Sequence, residues 1–184
     1  MGELTTERFA ELRQRSSLLV AGLLVFPRLD GDLDAKRELI GAGQAFALIQ
    51  RGHLRFAGVA DAPMVARAEV PPDEELRPEE ALLVDELCPT AEPAPFPRYG
   101  PILARLGPVI ESRAHAEGLL RRPAIGLLAG RFGRTRAGNQ LAGDLLALRD
   151  DLRSYAAGGD PARIEPAAQA AAQPYAIMLG VRVM

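Results

Sequence analysis

The sequence predicts an α+β fold, with a small antiparallel sheet followed by a mostly helical second half. Three observations carry that reading. Residues 45–70 hold short alternating apolar runs separated by tight links. The stretch "NQLAGDLLALRDDLRSYAAGG" places Leu141, Leu145, Leu148 and Leu152 at helical spacing and stops at Gly158-Gly159. The tail "PYAIMLGVRVM" then reads as a strand over 175–183, after Pro174.

Taken in order, Thr5 or Thr6 is placed to cap a first helix, with Phe9, Leu12, Leu19 and Leu23 near helical spacing. "LLVAGLLVF", Leu18 to Phe26, fits a helix or a buried strand, and is too short to span a bilayer. "QAFALIQ" and "LRFAGVA" flank Arg51-Gly52-His53 and read as a hairpin, with "PMVARAEV" as a third strand of a meander. "RPEEALLVDEL" opens a helix at Pro78. From Pro89 to Pro101, five of thirteen residues are proline, which predicts an extended connector. Beyond it, "PILARLGPVIESRAHAEGLLRR" is an amphipathic helix with a kink or break at Gly107-Pro108, and an alanine-rich helix covers 166–173. The parts are thus 1–88 (α+β), 89–101 (connector) and 102–184 (helical, with the C-terminal strand), expected to form one compact domain.

Composition excludes several classes. The 184 residues carry a net charge of −2, which gives no global drive toward nucleic acid or an anionic membrane. The first residues are too acidic for a secretory leader, so the expectation is a cytoplasmic protein or a member of a soluble assembly. Cys88 is the only cysteine, so neither an intrachain disulfide nor a thiolate metal cluster can form.

The chemistry-bearing motifs fail their templates. "FPRLDGDLDAKRELIG" spaces Asp30, Asp32 and Asp34 as a calcium loop does. However, Ala35 replaces the turn glycine and Gly41 replaces the bidentate glutamate. A helix cap at Asp32 or Asp34 is the simpler expectation, and no metal or cofactor is predicted. "GRTRAGNQ", Gly133 to Gln140, has the glycine spacing of a phosphate loop, but Asn139 and Gln140 stand where lysine and a hydroxyl are required. His53 is expected to be solvated in the hairpin turn, His115 to lie on a helix surface or pack, and Cys88 to be a small buried residue. None has a spacing that marks a catalytic pair.

Charge segregation is the strongest remaining feature. Residues 61–95 hold ten acids and two arginines, whereas residues 98–140 hold eight arginines and two glutamates. Arg121, Arg122, Arg131, Arg134 and Arg136 on one side, and Glu74, Glu75, Glu79, Glu80, Asp85 and Glu86 on the other, are therefore the candidate interface residues. For Glu79, Glu80, Asp85 and Glu86, a solvated acidic helix face is the plainer expectation. The chain reads as a non-enzymatic structural or adaptor subunit, of the virion or injection-machine kind, whose partners are other protein subunits or copies of itself. Two other readings rank below it. One is an enzyme or small-ligand protein with a site formed only in three dimensions. The other is nucleic-acid contact through the arginine loop.

Overall fold

The computed structural model describes residues 3–59, 61–70, 72–121, 133–158 and 166–182. The architecture is α+β, as the sequence predicts. In chain order the elements are α1 (Thr6–Arg15), α2 (Leu18–Val25), a 3-10 turn (Phe26–Arg28) and α3 (Leu33–Gln50). They continue with β1 (Leu54–Val59), β2 (Ala62–Arg67), α4 (Pro78–Leu87), β3 (Ala94–Pro95) and α5 (Tyr99–Ala116). The last are β4 (Leu120–Arg121), β5 (Gly133–Arg134), α6 (Arg136–Ala156) and α7 (Pro166–Met178).

Segment 18–25, open between helix and strand from sequence, is a helix. The Ser17 side chain caps it by accepting from Val20 N–H. Every residue except Leu23 is buried, because α2 packs against α3, α5, α6 and α7. The leucines that predicted α6 are all fully buried. Each contributes about 1.5–3 kcal/mol of transfer free energy. One apolar core runs from Leu4 to Val181 and takes side chains from both sides of the proline segment.

Three sequence expectations are corrected. First, "QAFALIQ" is not a strand but the second half of α3. Its buried face runs Ile40, Gln44, Leu48, and the polar Gln44 interrupts the apolar period that would have marked a helix. Gly52 is not a hairpin glycine. With φ of 77° it ends α3, while His53 N–H donates to Leu48 O and Gly52 N–H to Ile49 O.

Second, the hairpin lies further along. Strand β1 pairs antiparallel with β2 from Leu54↔Arg67 to Val59↔Ala62. The third strand is β3, contributed by the proline segment, with Met64↔Pro95 and Val65↔Ala94. Proline suits this edge position because it needs no amide donor there.

Third, residues 175–178 belong to α7 and not to a C-terminal strand. A proline inside a helix leaves the carbonyl four residues back without its amide. For Pro174 that carbonyl is Ala170 O, and Gln50 Nε2 donates to it at 2.7 Å. A residue at the end of α3 therefore completes α7. Gly180, at φ 68°, then closes the helix in the same way as Gly52. Helix α5 likewise runs through Pro108. Its first turn is held by Glu38, whose two oxygens accept from Tyr99 N–H at 3.0 Å and Gly100 N–H at 2.8 Å.

Candidate functional site

A cleft of about 770 Å³ opens where α1, the start of α2, α3, the 74–80 segment and α7 meet. One wall is apolar, with Phe9 and Tyr175 in ring contact at 5.5 Å. The opposite wall is ionic. Arg51 Nη1 donates to Glu80 Oε1 at 2.8 Å, and Arg51 also engages Glu74 through Nε at 3.3 Å. Glu80 Oε1 further accepts from Gln44 Nε2 at 3.0 Å, and Oε2 accepts from Arg77 N–H at 3.2 Å. Gln44 Oε1 in turn accepts from Leu19 N–H at 3.3 Å. The buried polar residue that disguised α3 thus links the starts of α2 and α4.

Behind this wall, Arg77 Nη2 donates to the carbonyls of Arg13 and Gln14 at 2.8 and 3.0 Å. It thereby covers the negative end of α1. Arg77 Nη1 lies 3.6 Å from Glu117 Oε1, and Arg113 Nε donates to the same oxygen at 3.0 Å. Glu79 is 0% exposed, and among the described residues neither of its carboxylate oxygens has a hydrogen-bond donor; Arg113 Nε is 3.9 Å away. Burial pushes the Glu117 carboxyl above its ordinary 4.5, against the pull of Arg77 and Arg113 and with a further upward push from Glu79.

An acid raised on folding favours the native state most when it is protonated. This contribution is complete below the unfolded value and disappears as pH climbs through the raised one. Glu117→Gln, which mimics the neutral acid, is therefore expected to remove that loss and flatten the stability curve just above pH 4.5. Urea midpoints measured from pH 4 to 7 test this. Parallel curves for the two proteins would assign the loss to another group.

The predicted interface residues separate into distinct environments. Glu79 and Glu80 are not on a solvated helix face; at 0% and 3% exposure they point inward, beneath the capping turn of α4. Glu74 pairs with Arg51, Asp85 with Arg67 at 2.5 Å, and Glu86 with Arg105. Glu75 lines the cleft and is exposed. Arg121 and Arg134 lie on the paired strands β4 and β5, and Arg136 begins α6. Arg134 is half-buried, and desolvation together with Arg28 lowers its affinity for a proton. Arg122 and Arg131 fall outside the described residues.

The other candidates have structural roles. Asp32 caps α3 by accepting from Ala35 N–H at 2.8 Å, Asp30 pairs with Arg153, and Asp34 lies 3.7 Å from Arg37. Among the described residues, no group of three His, Cys, Asp or Glu side chains is placed to hold a metal. His53 is buried, in contrast to the solvated turn position expected for it. Its Nε2 has no hydrogen-bond partner among the described residues, and burial and Arg51 both favour the neutral ring. His115 Nδ1 lies 3.1 Å from Leu120 O. Cys88 is fully buried at the end of α4, where desolvation pushes its thiol upward.

Sequence reasoning missed Ser16, Ser17, Gln44, Arg51, Arg77 and Tyr175. They come from four separate segments and converge only through the packing of α1, α3 and α7. Comparison with family models, curated proteins and solved structures finds no match. Among the described residues, no helix is long and apolar enough to cross a membrane.

Proposed function

We propose that this chain is a non-enzymatic structural or adaptor subunit that works by binding protein, and that the β1–β2 hairpin is its contact arm. The observation that carries this reading is the exposure of large apolar side chains on β1. Leu54, Val65 and Ala66 are no more than 1% exposed, whereas Phe56, directly across from Val65, is 55% exposed and Val59, next to the turn, is 70% exposed. Phe56 lies between Phe46 at 6.4 Å and Phe96 at 5.7 Å, so an aromatic surface continues from the α3 flank onto the arm. Aromatic side chains left half in water on a strand are typical of contact surfaces. Strand β1 also forms one edge of its sheet, and an unpaired edge accepts another strand.

The partner we favour is a second copy of this chain, joined β1 to β1 in antiparallel fashion. Arg55, which lies 3.4 Å from the exposed Glu69 of the same chain, sits near the start of β1, and Asp61 lies just beyond the strand's end. Antiparallel self-pairing brings these unlike charges together at both ends, whereas parallel pairing sets like beside like. The acidic block is less suited to a head-to-tail contact. Six of its acids pair with arginines of the same chain: Glu69, Glu74, Glu79, Glu80, Asp85 and Glu86.

Native mass measurement tests the proposal. The wild-type chain is expected to be a dimer that persists in about 1 M salt, where charges are screened beyond roughly 3 Å. Phe56→Asp combined with Val59→Lys is expected to give a folded monomer. A wild-type monomer at all concentrations, or a dimer that dissolves in salt yet survives the double substitution, overturns the hairpin reading.

A further inference from the structure

We infer that the cleft binds a small carboxylate with an apolar body, its anionic end seated at the junction of α1 and α2. At that junction two helix ends meet, and the chain neutralises them unequally. The negative end of α1 is covered by Arg77 through the carbonyls of Arg13 and Gln14. The positive end of α2 has no acid in its first turn. Leu19 N–H is taken by Gln44 and Val20 N–H by Ser17, which leaves Leu18 N–H at the helix mouth. Ser16 is 3% exposed, lines the cleft, and its Oγ has no hydrogen-bond partner among the described residues. A buried hydroxyl without a partner costs free energy that a ligand oxygen would recover.

The surrounding charges favour one negative charge over two. Glu74 and Glu80 are already met by Arg51, and Arg77 also faces Glu117. Arg13 lines the cleft in the last turn of α1, and no acid in the described residues lies within ion-pair distance of it. One guanidinium, one helix end and one hydroxyl match a carboxylate, while the exposed Glu75 on the cleft lining disfavours a phosphate dianion. Beyond the anionic end, Phe9, Ala171, Pro174 and Tyr175 supply an apolar bed. The volume, about 770 Å³, is ample for a carboxylic acid bearing an alkyl chain or one ring. The cleft does not involve the hairpin, so this inference stands apart from the proposed contact arm.

Calorimetric titration of the full chain with octanoate, phenylacetate, octanol and inorganic phosphate tests it. One-to-one, saturable binding is expected for at least one of the two carboxylates, with octanol about tenfold weaker or worse than octanoate, and phosphate weaker than both acids. Arg13→Gln and Ser16→Ala should each weaken the carboxylate by about tenfold while thermal melting shows the fold retained. Failure of both acids to saturate the chain at about 10 mM, which corresponds to less than roughly 3 kcal/mol of binding, overturns the inference. So does equal affinity for octanol and octanoate, tighter binding of phosphate, or indifference to both substitutions.

Discussion

Replacing Glu80 with alanine is expected to lower the unfolding free energy by about 3–5 kcal/mol, the usual cost of removing one partner from a buried ion pair. The side chain of Glu80 is 4% exposed and that of Arg51 10%, so little of the pair is in contact with water. Three donors lose their acceptor together: the Arg51 guanidinium, the Gln44 amide and the Arg77 backbone N–H. Arg51 keeps only the more exposed Glu74. Glu80→Gln retains an oxygen for one of these donors and should cost less. Arg51→Met combined with Glu80→Leu removes both charges and should recover part of the loss, since apolar replacement of a buried pair is often near neutral. Urea unfolding of the four proteins tests the sequence of effects. A Glu80→Ala change under about 1 kcal/mol would mean that the network behaves as a solvated surface pair.

This network also marks the limit of what the sequence discloses. Helix α6 is legible because Leu141, Leu145, Leu148 and Leu152 all fall on one buried face, and local spacing suffices to find such a face. The Asp32 cap is legible for the same reason: a side chain reaching a backbone amide three residues on is local. Helix α3 is obscured by Gln44, a polar residue whose buried position makes sense only beside Leu19 and Glu80. Helix α7 is obscured by Pro174, whose missing hydrogen bond is supplied to Ala170 O by Gln50, 120 residues earlier at the end of α3. In each case a distant partner overrides a sound local rule. The cleft compounds the difficulty. At position 80 the acid at the third residue of a helix is a visible capping signal, but nothing local indicates that its carboxylate points inward. Linear charge density likewise does not record which acids are paired within the chain: Arg51, Arg67, Arg105 and Arg113 lie against Glu80, Asp85, Glu86 and Glu79.

Gly138→Ala is expected to destabilise the chain by about 2–3 kcal/mol, at the upper end of overpacking costs. Gly138 is the second glycine of the "GRTRAGNQ" stretch whose spacing resembles a phosphate loop. Its role here is close packing. A Cβ at this position would lie 2.0 Å from Leu119 O and 3.0 Å from Leu119 C, and these are backbone atoms that no rotamer change can move. The same carbonyl accepts from Thr135 N–H at 3.0 Å, and Thr135 Oγ donates to Gly118 O at 2.6 Å while accepting from Gly138 N–H at 3.0 Å. The first turn of α6 is thus clamped to the glycine turn that ends α5. Relief of the clash must pull the two apart. Helix propensity works in the opposite direction, since alanine is favoured over glycine by about 1 kcal/mol within a helix, so the observed loss is the clash less that gain. Gly143, also on α6, isolates the propensity term because a Cβ there meets nothing within 4 Å. Gly143→Ala is therefore expected to be neutral or to stabilise by up to about 1 kcal/mol. Paired denaturant titrations of the two variants decide the matter. Equal stability of Gly138→Ala and Gly143→Ala would show that α6 does not approach the Leu119 carbonyl, and the glycine would then need a role other than packing.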